Sequence, residues 1–119
     1  TMLDHLVFLE CPAWIKDDIR AYWAEKQPRF ERLLSTFQPE LCHLRLVVQH
    51  IKGRWGTRAV LSIPTATLAA RREAEHWSEA LDGLADRLAS EVRRHKARLR
   101  HDDTHFHQGL HSANWQTAS

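Results

Sequence analysis

The chain reads as an α+β domain of order β-α-β-β-β-α. Its expected form is a four-stranded mixed sheet with two helices packed side by side on one face. Three observations predict this. Apolar residues recur at helical spacing in two separated stretches, residues 13–37 and 77–100. Between them lie three runs with period-two alternation, bounded by turn residues. A short β-capable run precedes the first helix. A sheet with one apolar face needs cover, and two amphipathic helices supply it.

The first strand is predicted over residues 5–10, HLVFLE, and ends at Cys11-Pro12. Ile15, Ile19, Tyr22, Trp23, Phe30, Leu33, Leu34 and Phe37 then mark one long helix over residues 13–37. Asp17 and Asp18 fall in its early turns, where the helix dipole favours anions. Pro28 removes one backbone bond and is expected to kink this helix. Gln27 beside it is polar where the stripe calls for an apolar residue. Residues 38–40 connect to a half-buried strand with Cys42, Leu44, Leu46 and Val48 inward and His43, Arg45 and Gln49 outward. Gly53-Arg54-Trp55-Gly56 reads as a hairpin turn. Ala59, Leu61 and Ile63 face inward from the next strand, which Pro64 closes. Residues 67–72 form a short last strand with Leu68 and Ala70 inward. Trp77, Ala80, Leu81, Leu84, Leu88, Val92 and Leu99 mark the second helix, ending near Arg100. The first β-α-β unit is expected to pair its strands in parallel through a right-handed crossover, and the later strands to form an antiparallel meander. Residues 1–100 make the domain, and residues 101–119 a polar, His-rich tail.

The 119 residues suit one domain, and 43% hydrophobic with 27% charged residues is a globular balance. It excludes a disordered tail, a collagen-like fibre and a disulfide-dense miniprotein. No run approaches the roughly 18 apolar residues of a membrane span. No basic–apolar–small order marks a signal peptide, so a cytoplasmic protein is expected, with Cys11 and Cys42 as reduced thiols. Seventeen Lys and Arg against 15 Asp and Glu leave a net charge of +2. The distribution is uneven. Residues 87–100 carry Arg87, Arg93, Arg94, Lys96, Arg98 and Arg100 against the single acid Glu91. Such a cluster suits a polyanion, because each cation placed on a phosphate releases a counterion. The ordinary alternative is a solvated helix end whose cations offset its dipole.

The segment ALDGLADRLASEVRRHK, residues 80–96, resembles the closing-helix signature of the ribosome hibernation-promoting factor / protein Y family. Residues 19–32, IRAYWAEKQPRFER, resemble that family's first-helix pattern. The resemblance spans residues 5–100. It implies a ribosome-associated factor that performs no chemistry and needs no cofactor. Such a factor binds the small ribosomal subunit and its 16S rRNA in the decoding channel and blocks mRNA and tRNA under stress. The implied RNA-binding residues are Lys26, Arg29 and Arg32 in the first helix, and Arg87, Arg94 and Lys96 in the second. Arg93 and Arg98 are neighbours placed to join them. The chain departs from the family pattern at Gln27, Pro28, Glu73, His76, Ser90 and Glu91.

Other constellations are weaker. His101, Asp102, Asp103, His105, His107 and His111 crowd the tail, but no HExxH lies on a helix and no metal site is expected. No GxSxG, phosphate-cradling glycine loop or recognisable carboxylate pair points to an enzyme or a small-molecule substrate. Trp23 and Trp77 are expected in the core and Trp14 partly exposed. Trp55, at the expected hairpin tip, suits base stacking or a homodimer contact, and Trp115 a docking segment. The alternative function is therefore a divergent paralogue acting as a homodimer module with weakened RNA binding. A double-stranded RNA-binding domain shares the α-β-β-β-α core. The extra first strand and the absence of a Lys-rich start to the second helix argue against it.

Overall fold

The computed structural model describes the backbone of residues 3–109 and the side chains of residues 4–100. The elements are β1 (Leu3–Leu9), α1 (Ala13–Ala24), α2 (Gln27–Leu33), a 3₁₀ turn (Pro39–Leu41), β2 (His43–Ile51), β3 (Arg54–Ile63), β4 (Ala66–Ala74) and α3 (Trp77–Gly109). The sheet order is β1-β2-β3-β4, with β1 parallel to β2 and the other pairs antiparallel. This is the predicted mixed sheet. Both helical arms lie on one face, α1 and α2 each beside α3. None of the described helices is long and apolar enough to cross a membrane.

Alternation fixes the layers. Leu44, Leu46 and Val48 of β2, Ala59, Leu61 and Ile63 of β3, and Leu68 and Ala70 of β4 are buried against the helices. Ile15, Ile19 and Trp23 of α1, Phe30 of α2, and Leu81, Leu84, Leu88 and Val92 of α3 close the core from above. Trp23 and Phe30 stack with ring centroids 6.0 Å apart, so α1 and α2 share one core despite the break between them. Trp14 is exposed, at 74%, and Trp77, expected in the core with Trp23, is instead half-buried at its margin. Cys42 is buried, Cys11 half-buried, and both are free thiols.

The expected single helix over residues 13–37 is instead two helices. Pro28 does not kink it. It stands in the first turn of α2, where a missing N–H costs no helical bond, and Glu25 and Lys26 make the turn before it. Asp17 and Asp18 lie beyond the first turn of α1, which holds no acid. Asp17 instead accepts a hydrogen bond from Arg20 at 3.1 Å. Gln27 is explained by β1: its amide donates to the Asp4 carboxylate. Burial pushes the Asp4 carboxyl above the usual carboxylate range, and the Gln27 hydrogen bond opposes that shift.

The hairpin turn, residues 51–54, lies two residues earlier than the expected residues 53–56. Lys52 and Gly53 carry φ of 52° and 77°, and Ile51 pairs with Arg54. Two consecutive positive φ values match the twist of a two-residue hairpin. Arg54, Trp55 and Gly56 therefore belong to β3. Trp55 is not at a tip. It is 7% exposed and stacks on His50 at 4.2 Å, which removes it as a surface for bases or a second copy. Trp115 lies outside the described residues. The last strand runs longer than expected, and α3 continues past Arg100 to Gly109. No proline or glycine interrupts the chain between those two residues, so polarity alone did not mark a helix end.

Gly83 sits where α3 meets β4. A Cβ there would lie 2.8 Å from Arg72 Nε, because the Arg72 side chain crosses the helix at that point. Gly83→Ala should gain about 1 kcal/mol of helix propensity and lose part of it by displacing Arg72. In an Arg72→Ala background the full gain should appear, and a denaturant double-mutant cycle measures the difference. Asp4→Asn tests the buried carboxyl. A raised folded-state pKa means that the native state loses stability as pH rises through it. The variant should therefore melt higher than the parent at pH 7, and the gap should close as pH falls below about 4. A gap that is constant with pH would show that the Asp4 charge is not the cause.

Candidate nucleic-acid interface

The rotation of α3 about its axis is set by its apolar stripe. Ala80, Leu81, Leu84, Leu88 and Val92 are all at 0% exposure. With that face down, Asp82, Asp86 and Arg93, spaced by four and seven residues, share the flank toward α1 and α2. Lys26 and Arg29 come down from the other side. Lys26 Nζ lies 2.6 Å from Asp82 Oδ1, and Arg29 Nη1 lies 2.8 Å from Asp86 Oδ1. Tyr22 Oη donates to the same Asp82 oxygen at 2.8 Å, and Lys26 Nζ sits 4.5 Å from the centre of the Tyr22 ring. Tyr22 meets Trp77 edge-on at 5.3 Å.

This is an interhelical ladder of two ion pairs. The Lys26 ammonium holds the Asp82 carboxyl below its usual value, and the hydrogen bond to Asp82 raises the Tyr22 phenol. Asp82 and Asp86 remain 54% and 73% exposed, so each pair is worth under about 1 kcal/mol. The ladder registers the helices more than it stabilises them. It also neutralises two of the cations expected to face RNA.

Lys96 has a structural task too. Its Nζ donates to the Leu33 carbonyl at 2.7 Å, placing a cation at the C-terminal end of α2. Arg94 pairs with Glu91 on its own helix at 3.3 Å. Arg32, Arg87 and Arg93 are exposed and make no salt bridge with any described residue. His95 is buried, with Nε2 2.8 Å from Thr65 Oγ1, so it fastens α3 to the β3–β4 turn.

The seven predicted residues thus fall on two flanks of the helix layer. Lys26, Arg29, Arg32, Arg93 and Lys96 belong to the side where α1 and α2 meet α3. Arg87 and Arg94 follow Gly83 at four and eleven residues, which puts them on the flank toward β4, where Arg72 crosses. Arg98 continues that stripe. Sequence reasoning missed Asp82 and Asp86, the two groups that govern the charge of the first flank. A signal was present: their i,i+4 spacing answers the i,i+3 spacing of Lys26 and Arg29. Among the described residues no group of three or more His, Cys, Asp or Glu is placed to hold a metal. The side chains of the histidine-rich tail lie outside those described.

Two solved structures share this fold. The Thermus thermophilus Protein Y N-terminal domain superposes with a TM-score of 0.65 at 21% identity, over 79% of this chain and 98% of that one. A ribosomal subunit interface protein from Coxiella burnetii superposes with a TM-score of 0.64 at 18% identity, over 81% of this chain and 99% of that one. At such identities the likeness establishes the fold. No curated protein sequence matches the chain. The family model described as sigma 54 modulation protein / S30EA ribosomal protein matches residues 14–100, from the first turn of α1 through α3 to Arg100. With its sheet, its paired helical layer and this match over most of its length, the chain belongs to the sigma 54 modulation protein / S30EA ribosomal protein family.

Proposed function

We propose that the chain is a ribosome-associated factor that binds the small ribosomal subunit through rRNA phosphates and halts translation by occupying the decoding channel. Family membership over residues 14–100 carries this reading. The names of the structural neighbours, Protein Y and a ribosomal subunit interface protein, point the same way. The proposed mechanism is occupancy rather than chemistry. Exposed guanidinium groups at Arg32, Arg87, Arg93 and Arg94 meet phosphates, and the rigid helix pair supplies shape. Lys26, Arg29 and Lys96 act differently. They hold the two helical arms in register, and the RNA competes with Asp82 and Asp86 for the first two.

This competition makes the reading testable. Co-sedimentation with isolated small subunits, across a salt series, should show retention that falls steeply with salt. Replacing Arg32 and Arg93 with Gln should weaken retention and reduce the log–log salt slope by about 0.7–0.9 for each phosphate that is no longer neutralised. The double variant Asp82→Asn/Asp86→Asn should do the reverse. It frees Lys26 and Arg29, and binding should become tighter and more salt-dependent. No retention of the parent chain at any salt sinks the function. Retention indifferent to both variants sinks the helix-face assignment.

A further inference from the structure

The helices cover one face of the sheet. Among the described residues nothing covers the other. Strand alternation puts Arg45 and Val47 of β2, Arg58 and Val60 of β3, and Ala69 and Arg71 of β4 on that open side, opposite the buried positions between them. Their register brings the cations together. Val47 pairs with Arg58, and Arg45 with Val60, so Arg45 and Arg58 are diagonal neighbours across β2 and β3. Arg58 pairs directly with Arg71 across β3 and β4. His5 of β1 pairs with Arg45 and extends the row.

Like charges directly opposite on one face of a sheet destabilise it. Here they are also uncompensated. Arg45, Arg58 and Arg71 are exposed, and none makes a salt bridge with a described residue. This contrasts with Lys26, Arg29 and Arg94 on the helix side, each of which has an acidic partner. The nearest acid on the open face is Glu73, two residues from Arg71 and diagonal to Arg58, and it forms no salt bridge with either. Asp4 borders the face, but its carboxylate is engaged by Gln27 on the helix side. The surface is also concave. An open depression of about 710 Å³ lies over it, lined by His5, His43, Arg45, Val47, Arg58 and Val60.

We propose that this open sheet face is a second RNA-contacting surface, in which Arg45, Arg58 and Arg71 hold successive backbone phosphates while the sugars rest on Val47 and Val60. The chemistry fits one occupant. Guanidinium forks match phosphate oxygens, and Val47 and Val60 between them give a partly apolar floor that suits a ribose-phosphate strand. The inference rests on the ribosome reading above. It adds that the domain is held from both sides, so that rRNA is engaged by the helix layer and by the back of the sheet at once. The ordinary alternative is that these arginines only keep an uncovered sheet soluble and discourage edge pairing by β4. It predicts no effect on binding.

The test uses isolated small ribosomal subunits and the whole chain. The variant is Arg45→Gln/Arg58→Gln/Arg71→Gln, with the corresponding triple Lys variant as charge control and Arg32→Gln/Arg93→Gln as the helix-face comparison. The Gln triple should melt no lower than the parent, because it removes the Arg58–Arg71 opposition. It should bind about a hundredfold more weakly near 0.1 M salt, with a slope reduced by about 2–3, and the Lys triple should restore most of both. If the parent binds and the helix-face variant weakens it while the Gln triple keeps the parental slope, the sheet proposal is overturned and the ribosome reading stands. If the Lys triple binds as poorly as the Gln triple, charge is not the cause and the proposal is again overturned. If the parent does not bind the subunit, both fall together.

Discussion

The domain depends on one asymmetry: among the described residues its sheet is covered on a single side. The covered face collects nearly all the large apolar side chains, and α3 carries the greater part of the cover. Leu81, Leu84, Leu88 and Val92 are fully buried in it. At roughly 1.5–3 kcal/mol for each large apolar side chain buried, this seam outweighs every polar contact described. It also sets the rotation of α3. That rotation decides which charged residues meet α1 and α2, which meet β4, and which reach solvent. The ion ladder of Lys26–Asp82 and Arg29–Asp86 is therefore a product of core packing rather than its cause.

The same asymmetry divides the cations by role. On the helix side, positive charge is partly spent within the molecule. Lys26 and Arg29 have acidic partners, and Lys96 serves the end of α2. On the open side of the sheet the cations are close together and form no salt bridge with a described residue. A small net charge conceals this, because acids and bases are not distributed alike over the two layers. Association with a polyanion should respond to the local fields, which differ between the two faces.

Much of the fold was legible in the sequence, because periodicity of two and of about 3.6 encodes which face is buried. Leu44–Leu46–Val48 and Leu81–Leu84–Leu88 made the layers plain. The failures have local causes. Pro28 is compatible with a kinked helix or with a fresh start. The choice was made by tertiary contacts: Gln27 reaching Asp4 and Phe30 joining Trp23. Lys52 adopts positive φ although its type rarely does, so the residue types point to a turn between Gly53 and Gly56 rather than at Lys52-Gly53. The site was less legible than the fold. Membership of a patch depends on which residues of other elements come near, and spacing within one helix does not report that. Arg72 crossing Gly83 and Lys96 reaching Leu33 join residues far apart in the chain.

The parallel pairing of β1 with β2 bears on how the chain is assembled. The β2–β3–β4 meander joins neighbours through short turns, and its ladders need little loop closure. Among the described residues β1 pairs with β2 alone, and Leu3 finds His43 across the whole of α1 and α2. During synthesis β1 emerges before β2 and pairs only after β2 has followed, so its apolar residues Leu6 and Phe8 wait without a ladder. β1 is thus locked only once the more distant strand is available. A nascent chain stopped before His43 holds a helical arm and a strand with nothing to bind.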